Sequence, residues 1–201
     1  KRTPLSQFRN IRKMGLIAVS LDEGDRLAWV RLTSGEDQLI VATRQGMAIR
    51  FNETDARVLG RTARGVRALN LEEDDIVVGM VPVMENTTVL TVSENGQGRR
   101  TDPAEYRLQS RGGKGIKNYD TQKNGPVAGV LAVGEEDDVI LISDDGIIIR
   151  IPVAEISTQS RYAGGVRVMR IGEGSRLVSL CRAPHEDEEE AAAESEAPAE
   201  A

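Results

Sequence analysis

The sequence predicts an all-β fold, propeller-like and built of four-stranded antiparallel blades with repeats of about 50 residues. Two sets of glycines recur at intervals of 50 residues: Gly15, Gly65, Gly115 and Gly165, and Gly46, Gly96 and Gly146. Short apolar runs lie between these glycines, and helical solenoids need helices of about ten residues or more. The glycine and β-branched content argues against such helices.

Each repeat contains several short apolar runs that we interpret as strands. In chain order they cover residues 16–21, 27–32, 38–43, 47–51, 66–71, 76–81, 87–92, 127–133, 139–143, 147–151, 166–171 and 177–182. Asn95-Gly96 and Asp145-Gly146 predict hairpins with type I′ turns, in which both central residues have positive φ. A polar connection of some fifteen residues links successive repeats, and its start at residues 53–57, 103–107 and 153–157 predicts a helical turn.

The charge divides the chain into two parts. Residues 185–201 contain eight acidic residues and no Lys or Arg, which leaves 26 basic and 24 acidic residues before them. We expect one mildly basic β domain of about four blades over residues 1–184 and a disordered acidic tail over 185–201. The tail acts either as a solubilising end or as a polyanion that competes for the basic face.

Composition excludes several classes of protein. There is no run of eighteen apolar residues and no signal-peptide pattern, so neither a membrane span nor secretion is expected. The single cysteine, Cys181, suits the reducing cytoplasm. Because it ends an apolar run, we expect its side chain to be buried.

Basic residues recur in three columns, four before, one before and two after each period-marking glycine. In the second to fourth repeats eight of these nine positions are basic, where chance would supply about one: Arg61, Arg64, Arg67, Arg111, Lys114, Lys117, Arg161 and Arg167, with Gly164 as the exception. The first repeat has Ile11, Met14 and Ile17 there, with Arg12 and Lys13 beside them. The columns predict a band of positive charge around the body.

This band suits a phosphate backbone better than a set of solvated charges paired with nearby acidic turns. Lys and Arg supply charge, and glycine lets backbone N–H groups approach phosphates closely. In Gln109-Ser110-Arg111-Gly112-Gly113-Lys114-Gly115 both features coincide. We therefore predict that Gly112, Gly113 and Gly115 join the eight cations, Arg12 and Lys13 in binding DNA.

We expect neither a catalytic centre nor a cofactor or metal in this chain. Leu108 and Gly115 stand where a phosphate-binding P-loop needs Gly and Ser or Thr. The one histidine, His185, borders the tail, and the tyrosines lie in polar connections without a partner that marks a nucleophile. Aromatic residues make up 3% of the chain, too few for single-strand stacking platforms. Duplex DNA, held through its phosphates and bent around the body, is the expected partner.

The stretch at residues 109–115 resembles the glycine-rich basic box in the C-terminal domain of the bacterial gyrase A family, with Ser110 where that box has Arg. Residues 1–8, 49–51 and 60–66 also resemble that family, and the likeness covers residues 1 to about 184. The resemblance implies a β-pinwheel whose blades exchange strands, which wraps duplex DNA and supports negative supercoiling by DNA gyrase, an ATP-dependent type II topoisomerase.

The same resemblance places the catalytic tyrosine and Mg²⁺ site in an N-terminal core and ATP hydrolysis in the partner B subunit, within an A2B2 holoenzyme. Two alternatives stay open at this point. One is the C-terminal domain of the corresponding topoisomerase IV chain, which shares the blade repeat. The other is a propeller scaffold whose basic band binds an acidic protein partner.

Overall fold

The computed structural model describes residues 1–11 and 13–185, and these residues form three antiparallel sheets. Arg12 and the predicted disordered tail from residue 186 onward lie outside the described residues. Sheet 1 has the strand order β3-β1-β2-β6, from strands β1 (Gln38–Thr43), β2 (Met47–Asn52), β3 (Val77–Val83) and β6 (Ile116–Lys117). The all-β prediction is confirmed.

The other two sheets repeat this arrangement. Sheet 2 has the order β10-β5-β4-β7, from strands β4 (Thr88–Ser93), β5 (Gln97–Thr101), β7 (Val127–Val133) and β10 (Val166–Arg167). Sheet 3 has the order β11-β8-β9, from strands β8 (Asp137–Ser143), β9 (Ile148–Pro152) and β11 (Leu177–Pro184).

The sheets are not built from one repeat each, which corrects the expectation that every repeat supplies its own four strands. In sheet 1 the central hairpin β1-β2 pairs on one side with β3 from the next repeat and on the other with β6 from the repeat after that. Sheet 2 combines β4-β5 with β7 and β10 in the same way. Neighbouring repeats therefore exchange strands.

Three predicted strand segments, residues 16–21, 27–32 and 66–71, do not form strands in the structure. Residues 27–32 correspond to β3 and β7, each of which pairs with the hairpin of the repeat before it. The described residues contain no hairpin ahead of 27–32, so its backbone groups have no ladder to join. Residues 66 and 67 correspond to β6 and β10 and lack an acceptor hairpin for the same reason.

The hairpin glycines turn the chain as predicted, but through a different turn. Gly46, Gly96 and Gly146 have φ of 86°, 76° and 86°, whereas Asn95 and Asp145 are not in the positive-φ region. The N–H of Gly96 donates to the Ser93 carbonyl at 3.0 Å. A three-residue loop made of a type I turn followed by a left-handed glycine fits these data, and it replaces the predicted type I′ turn.

Short helical turns open the connections between sheets, as predicted. They are 3₁₀ turns at Glu53–Asp55, Pro103–Glu105 and Val153–Glu155, with another at Leu5–Phe8. One α-helical turn, α1 (Thr121–Asn124), stands where the earlier repeats have their acidic turn. No helix in the described residues is long and apolar enough to cross a membrane.

The core lies between facing sheets. Ile40 and Val81 of sheet 1 pack with Val89 and Val130 of sheet 2. A second cluster joins Leu90, Val92 and Val133 of sheet 2 to Val139 and Leu141 of sheet 3. Alternate residues of each strand supply these layers, as a two-residue side-chain period requires.

Cys181 is exposed, so the prediction that it is buried is wrong. It lies on β11, the edge strand of sheet 3, opposite Ile140 in the register. Val81, the equivalent residue of sheet 1, is 3% exposed because sheet 2 covers it. In the described part of the chain no further sheet covers the corresponding face of sheet 3.

Candidate nucleic-acid interface

Two short edge strands carry the predicted binding segments. Ile116 and Lys117 pair with Ala48 and Met47 at the edge of sheet 1. Val166 and Arg167 pair with Gly98 and Gln97 at the edge of sheet 2. The fifty-residue period thus places Lys117 and Arg167 at the same point of adjacent sheets.

A glycine precedes each edge strand and packs against the sheet. A Cβ atom on Gly115 would lie 2.3 Å from the Ala48 carbonyl oxygen, and one on Gly165 would lie 2.5 Å from the Gly98 carbonyl oxygen. Both glycines have positive φ. Only glycine satisfies the close approach and the backbone conformation together, which explains why these residues mark the period.

The cations four residues before each glycine bind protein carbonyls. Arg61 donates from Nη1 to the Ile17 carbonyl at 2.8 Å, and Arg111 donates from Nη1 to the Arg67 carbonyl at 2.9 Å. Arg161 donates to the Lys117 carbonyl. Every acceptor lies 44 residues earlier, two residues after the preceding period-marking glycine. This column connects successive repeats, and its guanidinium groups are only partly available to a ligand.

The cations one residue before the glycine are exposed and paired. Arg64 Nη1 lies 2.7 Å from Asp22 Oδ1, and Lys114 Nζ lies 2.7 Å from Glu72 Oε1. The hydrogen bond from Lys114 to Glu72 raises the pKa of Lys114 above its ordinary value, and the negative charge of Glu72 makes a smaller contribution in the same direction. The acidic turns of the preceding repeat therefore neutralise part of this column.

The cations two residues after the glycine are exposed and less engaged. Arg67 donates to Asn70 Oδ1 at 3.3 Å, and Lys117 Nζ lies 3.5 Å from Asp120 Oδ1. Arg167 is also exposed. Of the three columns, this one has the cationic side chains that are least engaged by other protein groups.

The predicted glycine contacts differ from one another. Gly115 is occupied by its packing on Ala48, whereas Gly112 and Gly113 have no neighbour closer to a built Cβ than 4.0 Å and 3.8 Å. The Gly112 N–H donates to the Ala68 carbonyl at 2.6 Å, and the Gly113 carbonyl accepts from Asn70. Open space for a close approach exists at Gly112 and Gly113 but not at Gly115.

The first repeat is different, as its sequence indicated. Lys13 is exposed and borders a recess that Arg61 also lines. Ile11, Met14 and Ile17 are exposed where later repeats carry cations. In the described residues no group of His, Cys, Asp and Glu is arranged to hold a metal ion.

Comparison with known proteins agrees with the repeat seen here. A family model described as "DNA gyrase C-terminal domain, beta-propeller" matches residues 1–34, 37–84, 87–133 and 137–180. The chain belongs to this family. The four matched segments follow the fifty-residue period. The last three contain the hairpins of sheets 1, 2 and 3, whereas the described residues of the first, 1–34, form no strand.

Individual relatives agree with this membership in the gyrase C-terminal domain family. The gyrase A protein of Halalkalibacterium halodurans is 61% identical over 70 residues, which is 35% of this chain and 8% of that protein. A solved DNA gyrase A C-terminal domain superposes with a TM-score of 0.76 at 30% identity, covering 85% of this chain and 58% of that one.

A DNA topoisomerase IV C-terminal domain superposes with a TM-score of 0.84, covering 96% of this chain and 61% of that one. At 24% identity it shows the shared fold. The matched stretches of 70–83 residues cover 8–10% of the length of these curated gyrase A proteins.

Sequence reasoning missed a buried polar network in this gyrase-family domain. Arg99, fully buried, donates to the carbonyls of Ser160 at 3.1 Å and Arg161 at 2.5 Å. Tyr106, also fully buried, donates from its hydroxyl to Asn118 Oδ1 at 2.6 Å. Burial lowers the pKa of Arg99. The available signal was that Arg99 occupies the column of Ile49 and Ile149, which are sheet residues.

A second set of arginines recurs with the period and serves the fold. Arg50 donates from Nη1 to the Pro103 carbonyl at 2.6 Å, and Arg100 donates from Nε to the Ile156 carbonyl at 2.5 Å. Arg150 donates from Nε to Asp138 Oδ2 at 2.7 Å. The recurrence of an arginine with the period therefore does not by itself identify a contact for a ligand.

Proposed function

We propose that this chain binds duplex DNA through its phosphates, without sequence preference, and bends the duplex around its basic rim. The observation that carries the proposal is the equivalence of Lys117 and Arg167. Both are exposed, and both end the two-residue edge strands of adjacent sheets. Phosphate contacts from such repeated positions fix a track along the protein without reading bases.

The exposed cations around these two residues extend the track. Arg67 precedes Lys117 by one repeat, and Arg64 and Lys114 lie three residues before Arg67 and Lys117. All five side chains are exposed. Bending 20–30 base pairs by 40–90° costs on the order of 1–6 kcal/mol, which several phosphate contacts can offset.

The aromatic residues favour duplex over single-stranded nucleic acid. Tyr106 and Tyr119 are 0% and 1% exposed, so neither presents a ring to a base. Tyr162 is exposed, but the Arg161 guanidinium carbon lies 4.5 Å from its ring centroid. Single-strand binding proteins use free aromatic faces for stacking.

Within a whole gyrase, we assign to this domain a wrapping role that supports negative supercoiling in an A2B2 holoenzyme. In that role the chain holds no catalytic residue and no cofactor, and Mg²⁺ and ATP belong to other parts of the enzyme. The cytoplasm is where such an enzyme would meet DNA.

Fluorescence anisotropy with a labelled 40-base-pair duplex, titrated at several salt concentrations, tests the proposal. Lys117→Ala and Arg167→Ala should each weaken binding and reduce the slope of log K against log salt by about 0.9. Arg182→Ala removes the same charge from β11, at the opposite edge of its sheet, and is the matched control. Equal effects of all three variants, or no binding at 50 mM salt, would overturn the assignment.

A further inference from the structure

Two ion pairs recur at the same place in successive repeats. Arg64 pairs with Asp22, and Lys114 pairs with Glu72, each at 2.7 Å. Both pairs join residues 42 positions apart, so a cation of the candidate DNA track contacts the acidic turn of the preceding repeat. The spacing makes the two pairs equivalent members of the fifty-residue repeat.

The next repeat lacks both partners. Gly164 occupies the cation position, and 42 residues earlier Gln122 occupies the carboxylate position within α1. The cation and the carboxylate are therefore present together twice and absent together once. In these three repeats the carboxylate occurs only where the cation also occurs.

We propose that Asp22 and Glu72 compete with DNA phosphates for Arg64 and Lys114, and so set the strength of duplex binding. This inference rests on the proposed function and adds a regulatory element to the same site. In the absence of DNA the two carboxylates pair with the cations, and when DNA binds, its phosphates displace the carboxylates.

The exposure of the pairs favours this competition. The side chains of Lys114 and Glu72 are 70% and 57% exposed, and those of Arg64 and Asp22 are 73% and 64% exposed. Water surrounds both groups, so an ion pair of this kind is weak and a phosphate can replace the carboxylate. A cation already neutralised by a carboxylate also contributes less to counterion release when DNA binds.

The carboxylate opposes DNA in a second way. Once Lys114 turns to a phosphate, Glu72 remains nearby as an unpaired negative charge, and like charges repel. An amide at this position keeps an oxygen that accepts a hydrogen bond from Nζ but carries no charge. Replacement of Glu72 by Gln therefore removes the competition and leaves the shape of the turn.

The first experiment compares Glu72→Gln with Glu73→Gln by the anisotropy titration. Glu73 is an exposed carboxylate in the same turn, so the two variants change the net charge equally. Glu72→Gln should tighten duplex binding about two- to fivefold more than Glu73→Gln. It should also steepen the salt slope by up to about 0.9, because Lys114 becomes available to a phosphate.

A double-mutant cycle separates competition for Lys114 from a general change in the electrostatic potential around the turn. In a Lys114→Ala background, Glu72→Gln should have no more effect than Glu73→Gln. The same design applies to the preceding repeat. There Asp22→Asn is compared with Glu23→Gln, first in the parent chain and then in an Arg64→Ala background. Circular dichroism of each variant reports whether the fold is kept.

The outcomes distinguish this inference from the function on which it rests. Failure of the parent chain to bind duplex DNA overturns the proposed function. Binding with the expected slope, but equal effects of Glu72→Gln and Glu73→Gln, overturns the competition alone. A gain with Glu72→Gln that survives in the Lys114→Ala background would also contradict it.

Discussion

The guanidinium carbon of Arg99 lies 5.0 Å from the ring centroid of Tyr119. Arg99 belongs to β5 of sheet 2, whereas Tyr119 follows β6 of sheet 1. A buried cation thus spans two sheets, and the carbonyls of Ser160, Arg161 and Asn118 accept its hydrogen bonds. The contact and the hydrogen bond to Asn118 join the second repeat to the third.

Arg99→Met should destabilise the domain by about 3 kcal/mol, because it leaves buried carbonyl groups without their donor. The free energy of unfolding, measured by urea denaturation, checks this. Arg64→Met removes an exposed arginine and should cost less than about 0.5 kcal/mol. Similar losses for the two variants would contradict the role given to Arg99.

Gly115→Ala should destabilise the domain by more than about 2 kcal/mol, since the new Cβ meets the Ala48 carbonyl at 2.3 Å and φ is +77°. Gly113→Ala, two residues away, has ordinary φ and no neighbour closer than 3.8 Å, and should be close to neutral. Thermal unfolding of both variants provides the comparison. A neutral Gly115→Ala would mean that β6 does not pack on sheet 1 as described.

Arg111 and Lys114 should separate stability from DNA binding, although they lie three residues apart. Arg111→Ala removes donors from the carbonyls of Arg67 and Asp55 and should lower the free energy of unfolding by about 1–2 kcal/mol. Lys114→Ala removes an exposed ion pair and should change it by less than about 1 kcal/mol.

DNA titrations of these two variants should show the opposite order. Lys114→Ala should reduce the salt slope, although by less than Lys117→Ala, because Glu72 already neutralises part of the Lys114 charge. Arg111→Ala should leave the slope nearly unchanged. If the slope of log K against log salt falls equally in both variants, Arg111 contacts a phosphate directly and this prediction is wrong.

Asp138 should make stability depend on pH. Although burial alone would raise its pKa, the hydrogen bonds with His185 and Arg150 hold the pKa of Asp138 below its ordinary 3.8. A carboxyl group whose pKa is depressed by folding stabilises the domain above its unfolded pKa and loses that contribution as pH falls through the folded value.

Asp138→Asn should therefore be less stable than the parent chain at pH 7 by about 1–3 kcal/mol. The gap should narrow as the pH falls below about 4. Urea denaturation between pH 3 and pH 7 measures it. A gap of constant size across this range would show that the charge of Asp138 does not contribute.

Much of this fold follows from the period of the sequence. The recurring glycines predicted the hairpin loops, because Gly46, Gly96 and Gly146 adopt the positive φ that the turn requires. The segment that contains β10 was also predicted as a strand, but β5 and β6 were not. Strand exchange was not predictable from spacing, because the fifty-residue period does not specify which hairpin an edge strand pairs with. Only the resemblance to the gyrase family anticipated it.

The candidate site was likewise predictable only in part from the sequence. The periodic cations were visible in the sequence, but spacing does not distinguish Arg111, which holds a carbonyl 44 residues earlier, from Lys117, which faces solvent. Arg99 was missed because a buried arginine is rare, and its acceptors are carbonyls from distant connections. The exposure of Cys181 depends on whether a neighbouring sheet covers β11, which its own apolar run does not reveal.

The measurement closest to the central claim is the linking number of DNA closed in the presence of the chain. A nicked plasmid is incubated with the protein, sealed by ligase, freed of protein and resolved by gel electrophoresis. A duplex that follows the curved rim should give a linking difference of one sign that grows with protein concentration. Lys117→Ala combined with Arg167→Ala should abolish it. Tight binding of the parent chain with no shift in linking number would contradict wrapping.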